Sequence, residues 1–483
     1  MTAELRRVKI TEGHVVGLLE DGCAVFKGIP YAKPPVGALR FAPPEPAEPW
    51  AGDRECFAYG PSPIPSRGGT EGQSEDCLTV NVWTPAKSAD ERLPVMFWIY
   101  GGGFQNGTSA DLELDGAVLA KTGVVVVTFH YRLGALGFFA HPELLERSRY
   151  RTTGNYGILD ELAALQWVQR NIAAFGVDPE RVTIFGQSAG GISCRILLAS
   201  PEARGLFRRV IVESGGGLNE ADPVRPMAEL MDISESALRQ LGWTPKDVLT
   251  REAREVNEKL AQAAKEVVEG FEIGVFQPCV DGLVLPKVPG VALAAGEYPA
   301  DVNVICGTVC GDSWMFCRKV CAALGEDDAT LRGFSYSPSQ SWARNQARNG
   351  RQPIRAYYFE RTQPPRQRRI SRDGVYRYGQ SCPHSSEIAY VFGTLPCRYP
   401  TVDERDLRLS ELLMAYWSNF AKTGDPNGNG LPQWPEYSAE QPVTLHISDG
   451  GVEAENIVDS AEGAHVVEYT IAHPGMLETL TDF

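Results

Sequence analysis

This sequence of 483 residues lacks any apolar run of the ~20 residues that a membrane-spanning helix needs, so we expect no membrane contact. It is also short of basic residues, with 46 Lys and Arg against 61 Asp and Glu, and its formal net charge is −15. Because an acidic chain repels polyanions, we expect no nucleic-acid partner. The segment after Met1 lacks the apolar core of a signal peptide, which predicts a cytoplasmic protein, or a secreted one if a leader has been removed.

The chain has no Pro/Gly/Ser-rich linker, no break in composition and no internal repeat, so we predict one large domain over 1–483 with excursions from it. Its eleven cysteines are scattered, which is typical of a reduced protein and not of a disulfide framework. Cys306, Cys310, Cys317 and Cys321 lie closest together, but without C-x-x-C pairs or a nearby histidine. We therefore predict no metal and no cofactor, and interpret this cluster as small apolar residues packed at a strand end.

One stretch that is present carries chemistry, the FGQSAGG segment over 185–191. It follows an apolar, β-branched run and precedes a segment that can continue as a helix, which is the context of a nucleophile elbow. Gly186 and Gly190 flank Ser188 at positions where a side chain would collide with the adjoining strand or helix. Since G-x-S-x-G also occurs in ordinary glycine-rich turns, the rest of the chain must decide.

Short apolar strands alternate with helical periodicity along the chain, which predicts an α/β fold with a large, mostly parallel twisted sheet and helices on both faces. Active sites of such sheets lie at the carboxyl ends of the strands. We predict a hairpin over 8–28, strands over 78–83, 95–100, 124–129, 182–185, 210–213, 302–307, 356–359, 443–445 and 466–469, and helices over 158–175, 223–241, 250–270 and 407–423.

A serine nucleophile needs donors for the oxyanion, a base and an orienting acid. Gly101 to Gly103 directly follow a predicted buried strand, and the backbone N–H groups of Gly102, Gly103 and Ala189 can converge on a developing negative charge. The alternative is a flexible surface turn. Beside a G-x-S-x-G segment, the pattern favours the oxyanion hole.

The base and the acid are selected by their positions in the chain. His384 lies on a polar loop, where a histidine can either point inward for catalysis or simply be solvated. The other six histidines precede the serine or lie in the predicted final strands and tail (His14, His130, His141, His446, His465 and His473). Asp312 follows the strand predicted over 302–307, at its carboxyl end. Its competitors are Glu272, Asp281 and Asp301, of which Asp301 precedes the strand and would point to the wrong side of the sheet.

Several motifs in order carry a family resemblance, at 26–41, 74–83, 98–104, 131–138, 154–175, 185–191, 384–387 and 417–426. The chain resembles the type-B carboxylesterases, a group of α/β-hydrolases that includes para-nitrobenzyl esterases and cholinesterases. The resemblance implies the α/β-hydrolase fold, Ser188 as nucleophile, His384 as base and Asp312 at the place of the family's acid. It also implies a structural ion pair between Arg40 and Glu75 and a small polar residue, Ser214, buried behind the site.

The chain departs from the family pattern at several places. Gln187 stands where the family usually has Glu, and the loss of this carboxylate removes an anion that would repel anionic substrates. Asp312 is one carbon shorter than the usual Glu, so its loop must approach the histidine more closely. Cys77 matches half of a family disulfide whose partner position is Ser62 here, and the shortened segment from 312 to 357 suggests an open pocket.

Position predicts a substrate pocket lined by Phe104, Gln105, Asn106, Trp314 and Phe316, with Gln187 and Ser214 also assigned to substrate binding. Apolar walls with a few amides suit a small-molecule ester with a hydrophobic part, although the aromatic residues could equally be ordinary core. An arginine cluster precedes His384 (Arg361, Arg366, Arg368, Arg369, Arg372 and Arg377). It is either a solvated loop face or a cationic rim that favours carboxylate-bearing esters.

The sequence therefore predicts a serine carboxylesterase that acts through an acyl-enzyme on Ser188. Two alternatives stay open. One is a non-catalytic binding or adhesion module on the same fold, of which loss of the nucleophile or the base would be typical. The other is the same machinery acting on amides, lactones or carbamates. The sequence does not indicate the oligomeric state.

Overall fold

The structure, a computed structural model, describes residues 4–65, 72–148, 151–220, 224–268, 274–313, 328–349, 354–364 and 381–475. One sheet of thirteen strands runs through this part of the chain. Its strands are β1 (Leu5–Lys9), β2 (His14–Glu20), β3 (Cys23–Pro30), β4 (Asp53–Glu55), β5 (Thr79–Thr84), β6 (Leu93–Ile99), β7 (Val125–Phe129), β8 (Val177–Gln187), β9 (Arg209–Glu213), β10 (Asn303–Val309), β11 (Ile354–Phe359), β12 (Thr444–Ser448) and β13 (Gly451–Glu455).

The strand order is β1-β2-β3-β5-β7-β6-β8-β9-β10-β11-β12-β13, with β4 beside β2. Every pair from β7 to β12 is parallel, whereas the strands outside that range pair antiparallel along the path. All residues of β7 and nearly all of β6 are buried. Because successive side chains point to opposite faces of a sheet, helices and loops must cover both faces. The predicted, mostly parallel sheet is thus confirmed.

The helices are α1 (Ala117–Ala120), α2 (Gly134–Phe138), α3 (Pro142–Arg147), α4 (Tyr156–Asn171), α5 (Ala189–Ala199), α6 (Met227–Leu241), α7 (Pro245–Thr250), α8 (Ala253–Val267), α9 (Pro289–Ala295), α10 (Asp328–Arg348), α11 (Ile388–Phe392), α12 (Leu395–Arg398), α13 (Glu404–Thr423) and α14 (Ala461–Ala472). Both α5 and α13 contact the central strands β6 and β8. In the ranges described, no helix is both long and apolar enough to cross a bilayer.

Two expectations about the second half of the chain were wrong or incomplete. The strand predicted over 466–469 is part of α14, because Val466, Val467 and Thr470 share a buried helical face and Ser460 caps the helix by accepting the N–H of Gly463. Tertiary packing against α10 thus overrides the β preference of the Val-Val pair. Helix α10 itself was not predicted from its polar sequence, which has Pro338 in its interior.

The ion pair between Arg40 and Glu75 is confirmed. Arg40 donates from Nε and Nη2 to the two carboxylate oxygens of Glu75, each at 2.6 Å. Its Nη1 also donates to the carbonyls of Val248 and Arg251, so the pair ties the N-terminal loops to α7. The thiol of Cys77 is free and buried.

Candidate active site

Ser188 lies at a sharp turn between β8 and α5, with a φ of +57° and a ψ of −125°. A non-glycine residue with positive φ is strained, and such strain persists only where the surroundings hold it. The backbone N–H of Ser188 donates to the carbonyl of Glu213 at the end of β9, at 2.9 Å. The neighbouring strand therefore fixes the turn that presents the hydroxyl.

The two glycines around Ser188 are required by close backbone approach, as the sequence predicted. A Cβ added to Gly190 would lie 1.9 Å from the carbonyl oxygen of Ile99, and one added to Gly186 would lie 2.6 Å from the carbonyl oxygen of Gly190. Since both obstacles are backbone atoms, neither can move aside without shifting a central strand or the helix.

We expect Gly190→Ala to lower the free energy of unfolding by about 3–5 kcal/mol, because the new methyl group would push α5 away from β6. Gly430→Ala is the matched control, since Gly430 has a φ of +80° but open space around it. Its expected cost is only about 1–2 kcal/mol. Urea unfolding of both variants measures the difference, and equal midpoints would contradict the packing argument.

Helix α5 is anchored from behind by a buried ion pair. Arg195 is fully buried and donates from Nη1 and Nη2 to the two carboxylate oxygens of Glu220, at 3.0 and 2.8 Å. The same guanidinium donates to the carbonyls of Gly215 and Asn219, and the backbone N–H of Gly290 donates to Glu220. The ion pair and these hydrogen bonds therefore tie the helix that follows the elbow to the segments around Glu220 and Gly290.

The glycine loop after β6 lies against the elbow. A Cβ added to Gly101 would lie 2.5 Å from the carbonyl oxygen of Gln187 and 2.9 Å from Cβ of Ser188. Gly102 and Gly103 adopt φ values of +126° and +64°, which favour glycine. Ala189 is the first residue of α5, so its N–H has no acceptor within the helix. Gly101 thus packs this loop against Ser188, and the assignment of Gly102, Gly103 and Ala189 to an oxyanion hole stays a prediction.

Asp312 and His384 meet across two loops. Asp312 Oδ1 lies 2.6 Å from Nδ1 of His384, and the backbone N–H of Val309 donates to Asp312 Oδ2 at 3.1 Å. Both side chains are largely buried. A parallel bridge between Gly311 and Pro383 holds the two loops side by side. The carboxylate therefore directs the Nδ1 proton toward itself and leaves Nε2 of the ring as an acceptor.

The other acid candidates have different surroundings. Asp301 precedes β10, as expected, and forms an ion pair with Arg208 at 3.1 Å on the surface. Asp281 accepts hydrogen bonds from the backbone N–H groups of Leu283 and Leu285 and from the side chains of Thr152 and Asn155, and thus joins its own turn to the segment before α4. Glu272 lies outside the described residues. In the part of the chain that the structure describes, Asp312 is the candidate that touches His384.

Gln187 contacts the other nitrogen of the same ring. Its Nε2 lies 3.1 Å from Nε2 of His384, and its Oε1 accepts a hydrogen bond from Ser385 Oγ at 3.0 Å. Because Nδ1 faces the carboxylate, Nε2 of the ring accepts and the amide donates. The sequence marked Gln187 as a departure, but its hydrogen bond to the imidazole could not be read from the motif.

The sequence did not reveal two buried carboxyl groups, those of Glu213 and Glu387, near the contact between Gln187 and His384. Ser214 Oγ donates to Glu387 Oε1 at 3.2 Å, and Trp417 Nε1 donates to Glu213 Oε1 at 2.7 Å. Burial, and then the charge of Asp312, raises the pKa of Glu387 to about 7. Burial, and then the charge of Glu387, raises the pKa of Glu213 well above its usual range. The signal available in the sequence was Glu213, a carboxyl residue that ends a strand directly after an apolar run.

Ser214 thus faces a carboxyl group within the protein. It is 4% exposed, which matches the small polar residue expected behind the site more closely than a residue in contact with substrate. Its assignment to substrate binding stays a prediction.

The structure describes some of the residues that were predicted to line the pocket and not others. Phe104 is buried, and its ring packs edge-on against Phe138 with the centroids 5.4 Å apart. Gln105 donates from Nε2 to the carbonyl of Phe276 at 2.6 Å. Both follow the glycine loop, so their assignment to the pocket stays a prediction, whereas Trp314 and Phe316 lie outside the described residues.

Arg361 does not belong to a free cationic rim, which corrects the grouping made from the sequence. Its guanidinium forms ion pairs with Asp406 at 3.0 Å and with Asp449 at 2.6 Å, and its side chain is only 13% exposed. Two carboxylates from distant segments offset its charge. The other arginines of the cluster lie outside the described residues (Arg366, Arg368, Arg369, Arg372 and Arg377).

Comparisons with known proteins show the family to which the chain belongs. The model of the carboxylesterase family matches residues 4–378 and 332–462. The chain is 34% identical to para-nitrobenzyl esterase of Bacillus subtilis, with 93% of this chain and 96% of that one covered. It is also 34% identical to fumonisin B1 esterase of Sphingopyxis macrogoltabida, covering 93% of this chain and 88% of the relative.

Solved structures show the same similarity. A para-nitrobenzyl esterase superposes with a TM-score of 0.78 at 31% identity, covering 96% of this chain and 99% of that one. A carboxylesterase of Geobacillus stearothermophilus superposes with a TM-score of 0.75 at 32% identity, covering 95% and 99%. The parallel sheet and the turn after β8 are therefore those of an α/β-hydrolase. Within that class the chain belongs to the carboxylesterase family, and it is a carboxylic ester hydrolase.

Proposed function

We propose that this enzyme is a serine carboxylesterase in which Ser188 is the nucleophile, His384 the general base and Asp312 the residue that orients the base. The observation that carries the proposal is the 2.6 Å contact between Asp312 Oδ1 and His384 Nδ1, on loops held beside the strained turn at Ser188. This arrangement supplies the correct tautomer, because a ring whose Nδ1 proton is held by a carboxylate has an unprotonated Nε2, as a general base requires.

In the proposed reaction, Ser188 Oγ attacks the carbonyl carbon of the ester and Nε2 of His384 takes the hydroxyl proton. The negative charge develops on the former carbonyl oxygen. The N–H groups of Gly102, Gly103 and Ala189 would stabilise that charge, two from the loop after β6 and one from the first residue of α5. His384 then gives the proton to the leaving alcohol, and water attacks the acyl-enzyme by the same route in reverse.

The hydrogen bond from Gln187 adds a step to the proposed reaction. In the resting site, the amide donates to the nitrogen that must accept the serine proton. Because Nε2 has one lone pair in the plane of the ring, the amide must move off this nitrogen before it can accept the serine proton. A carboxylate at the same place would not donate to that lone pair, and it would attract the positive charge of the protonated ring.

We further propose that the neutral Gln187 widens the substrate range toward small-molecule esters that carry a carboxylate. Gln187 is 2% exposed and lies directly beside the nucleophile and the base, where a negative side chain would act through a medium of low dielectric. Among the relatives, one is named for fumonisin B1 and one for para-nitrobenzyl esters, so substrates within the family differ widely. Arg361 gives no support to a cationic rim, so this proposal rests on Gln187 alone.

Replacing Gln187 with Glu tests this proposal. We expect the acidic limb of the kcat/KM profile to move to higher pH by about 1–2 units, since a nearby carboxylate stabilises the protonated ring. We also expect kcat/KM for a 4-nitrophenyl ester of a dicarboxylic half-acid to fall about tenfold relative to the matched monocarboxylic ester. Stopped-flow or steady-state hydrolysis at several pH values measures both the pH profile and the ratio of kcat/KM for the two esters.

Gln262→Glu is the control for the change in net charge, because Gln262 is exposed on α8 and bonds to Glu266. It should leave the pH profile and the ratio of the two esters unchanged. A shift of the same size in both variants, or in neither, would refute the role assigned to Gln187.

A further inference from the structure

Two cysteines occupy matching positions on the loops that carry Asp312 and His384. Cys310 precedes Asp312 by two residues, and Cys382 precedes His384 by two. The parallel bridge between Gly311 and Pro383 lies between these pairs. The register that brings the acid to the base therefore also brings Cys310 beside Cys382.

The contacts of the two thiols confirm that they are neighbours. Cys310 Sγ lies 3.8 Å from the carbonyl oxygen of Cys382. The carbonyl of Phe359, the last residue of β11, accepts from Cys382 Sγ at 3.4 Å and from the backbone N–H of Cys310 at 2.9 Å. Both cysteines are buried and unpaired covalently.

This arrangement fits the requirements of a disulfide. Adjacent strands lie about 4.8 Å apart, which falls inside the range of about 4.4–6.8 Å between the Cα atoms of disulfide-bonded cysteines. The bridge between Gly311 and Pro383 has Cys310 and Cys382 on one side of it along the chain and Asp312 and His384 on the other. A bond between Cys310 and Cys382 would therefore lie one step back along the loops from the contact between Asp312 and His384, without replacing it.

We propose that Cys310 and Cys382 form a disulfide when the chain folds in the presence of a small-molecule disulfide such as oxidised glutathione, and that this bond fastens the acid loop to the histidine loop. One thiolate attacks oxidised glutathione and releases one glutathione thiolate. The second cysteine thiolate then attacks the mixed disulfide and releases the other. Two protein thiols are oxidised, and one oxidised glutathione is reduced to two thiols.

Burial explains why the bond should form during folding and then persist. Burial, and then the neighbouring Cys310, raises the pKa of Cys382 well above its usual range, so Cys382 holds little of the reactive thiolate in the folded chain. In the unfolded chain the same thiols are exposed and react at ordinary rates. Once closed, the bond is equally shielded from reductants in solution. A chain folded under reducing conditions keeps both thiols, as the scattered cysteines led us to expect.

The bond should raise thermal stability and leave catalysis intact. It joins residues 72 positions apart, so it removes much conformational freedom from the unfolded chain. For a protein of this size, we expect the Tm to rise by about 3–5 °C. Because Asp312 and His384 already lie in contact, kcat/KM for para-nitrophenyl acetate should change less than about twofold.

The test is refolding of the whole chain from urea, once with a mixture of reduced and oxidised glutathione and once with a reductant alone. After free thiols are blocked with N-ethylmaleimide, peptide mass spectrometry should find the peptides of Cys310 and Cys382 linked in the first sample only. Cys310→Ser and Cys382→Ser should each lose the linked peptides and the gain in Tm.

Cys306→Ser is the matched control, because Cys306 is also buried, lies four residues earlier on β10 and donates to the carbonyl of Ser339. This variant should keep both the cross-link and the gain in Tm. Should a variant fail to refold, the blocking pattern of the wild-type chain decides, since only the oxidised sample should protect Cys310 and Cys382 together from N-ethylmaleimide after denaturation.

The absence of linked peptides after oxidative refolding would overturn the proposal, and so would a gain in Tm that survives Cys310→Ser. A cross-linked enzyme with a tenfold lower kcat/KM would overturn the claim that the bond preserves the contact between Asp312 and His384. The claim about kcat/KM rests on the proposed function, whereas the formation of the cross-link does not. Mass spectrometry detects the cross-link directly, so it distinguishes a failure of the disulfide proposal from a failure of the proposed function.

Discussion

Replacing Ser188 with alanine should lower kcat/KM for para-nitrophenyl acetate by about 10⁴–10⁶-fold. The substitution removes the hydroxyl from the strained turn but leaves Gly102, Gly103 and Ala189 in place, so only the residual effect of binding and of oxyanion stabilisation is expected to survive. The fold should be retained, because the carbonyl of Glu213 holds the turn through the backbone N–H of Ser188 and not through its side chain.

The control for this substitution is Ser236→Ala, which removes a hydroxyl that donates to the carbonyl of Asp232 on α6. It should leave kcat/KM within about twofold, since surface substitutions away from a site have small effects. A fluorophosphonate probe should label the wild-type chain and Ser236→Ala, but not Ser188→Ala. Undiminished hydrolysis by Ser188→Ala, or labelling at another residue, would show that the nucleophile lies elsewhere.

The second large effect is expected from Asp312→Asn, which should lower kcat by about 10³–10⁴-fold with a much smaller change in KM. The amide is neutral, so it stabilises the protonated ring far less than a carboxylate 2.6 Å from Nδ1 does. It also presents an N–H group where the ring needs an acceptor. The variant should fold, because an oxygen of the amide can still accept from the backbone N–H of Val309.

Asp301→Asn is the matched control, since Asp301 was a rival for the acid and lies before β10 in a surface ion pair with Arg208. It should keep kcat within about twofold. Asp312→Glu should recover much of the lost activity, because the carboxylate returns one carbon further along the side chain. If Asp312→Asn kept more than a tenth of the wild-type kcat, another group would have to orient His384.

The parts of the site that the sequence predicted are those encoded within one short segment. Gly186 and Gly190 are dictated by backbone contacts at a turn, so their spacing around Ser188 is visible without the rest of the molecule. Asp312 could be singled out because it follows a strand whose carboxyl end lies at the active edge of the sheet. His384 needed only its place on a polar loop and its order in the chain.

The parts that the sequence did not predict depend on segments that meet only in the fold. Arg361 is close to its supposed partners in sequence, but its charge is offset by Asp406 and Asp449. The buried pair of Glu213 and Glu387 arises where the end of β9 meets the residues after His384. Such contacts have no local pattern, so neither composition nor spacing indicates them.

The strand predicted over 466–469 failed for a related reason. Val466 and Val467 favour a strand by their own conformational preference, yet α14 buries them against α10. Since α10 was itself not predicted, its packing surface was not available to decide between the two structures. Because α10 was not predicted, α14, which packs against it, was wrongly predicted as a strand.

The ion pair between Arg195 and Glu220 bears on how the enzyme can acquire new substrates. Because that pair ties α5 to Glu220, Gly215 and α9 inside the core, the proposed nucleophile Ser188 has a support that is separate from the loop after β6. Loops around the site can then be lengthened, shortened or exchanged by recombination while Ser188 keeps its position. Laboratory evolution aimed at substrate range should therefore leave Arg195 and Glu220 unmutated, and concentrate its diversity in the segments around Phe104 and Gln105.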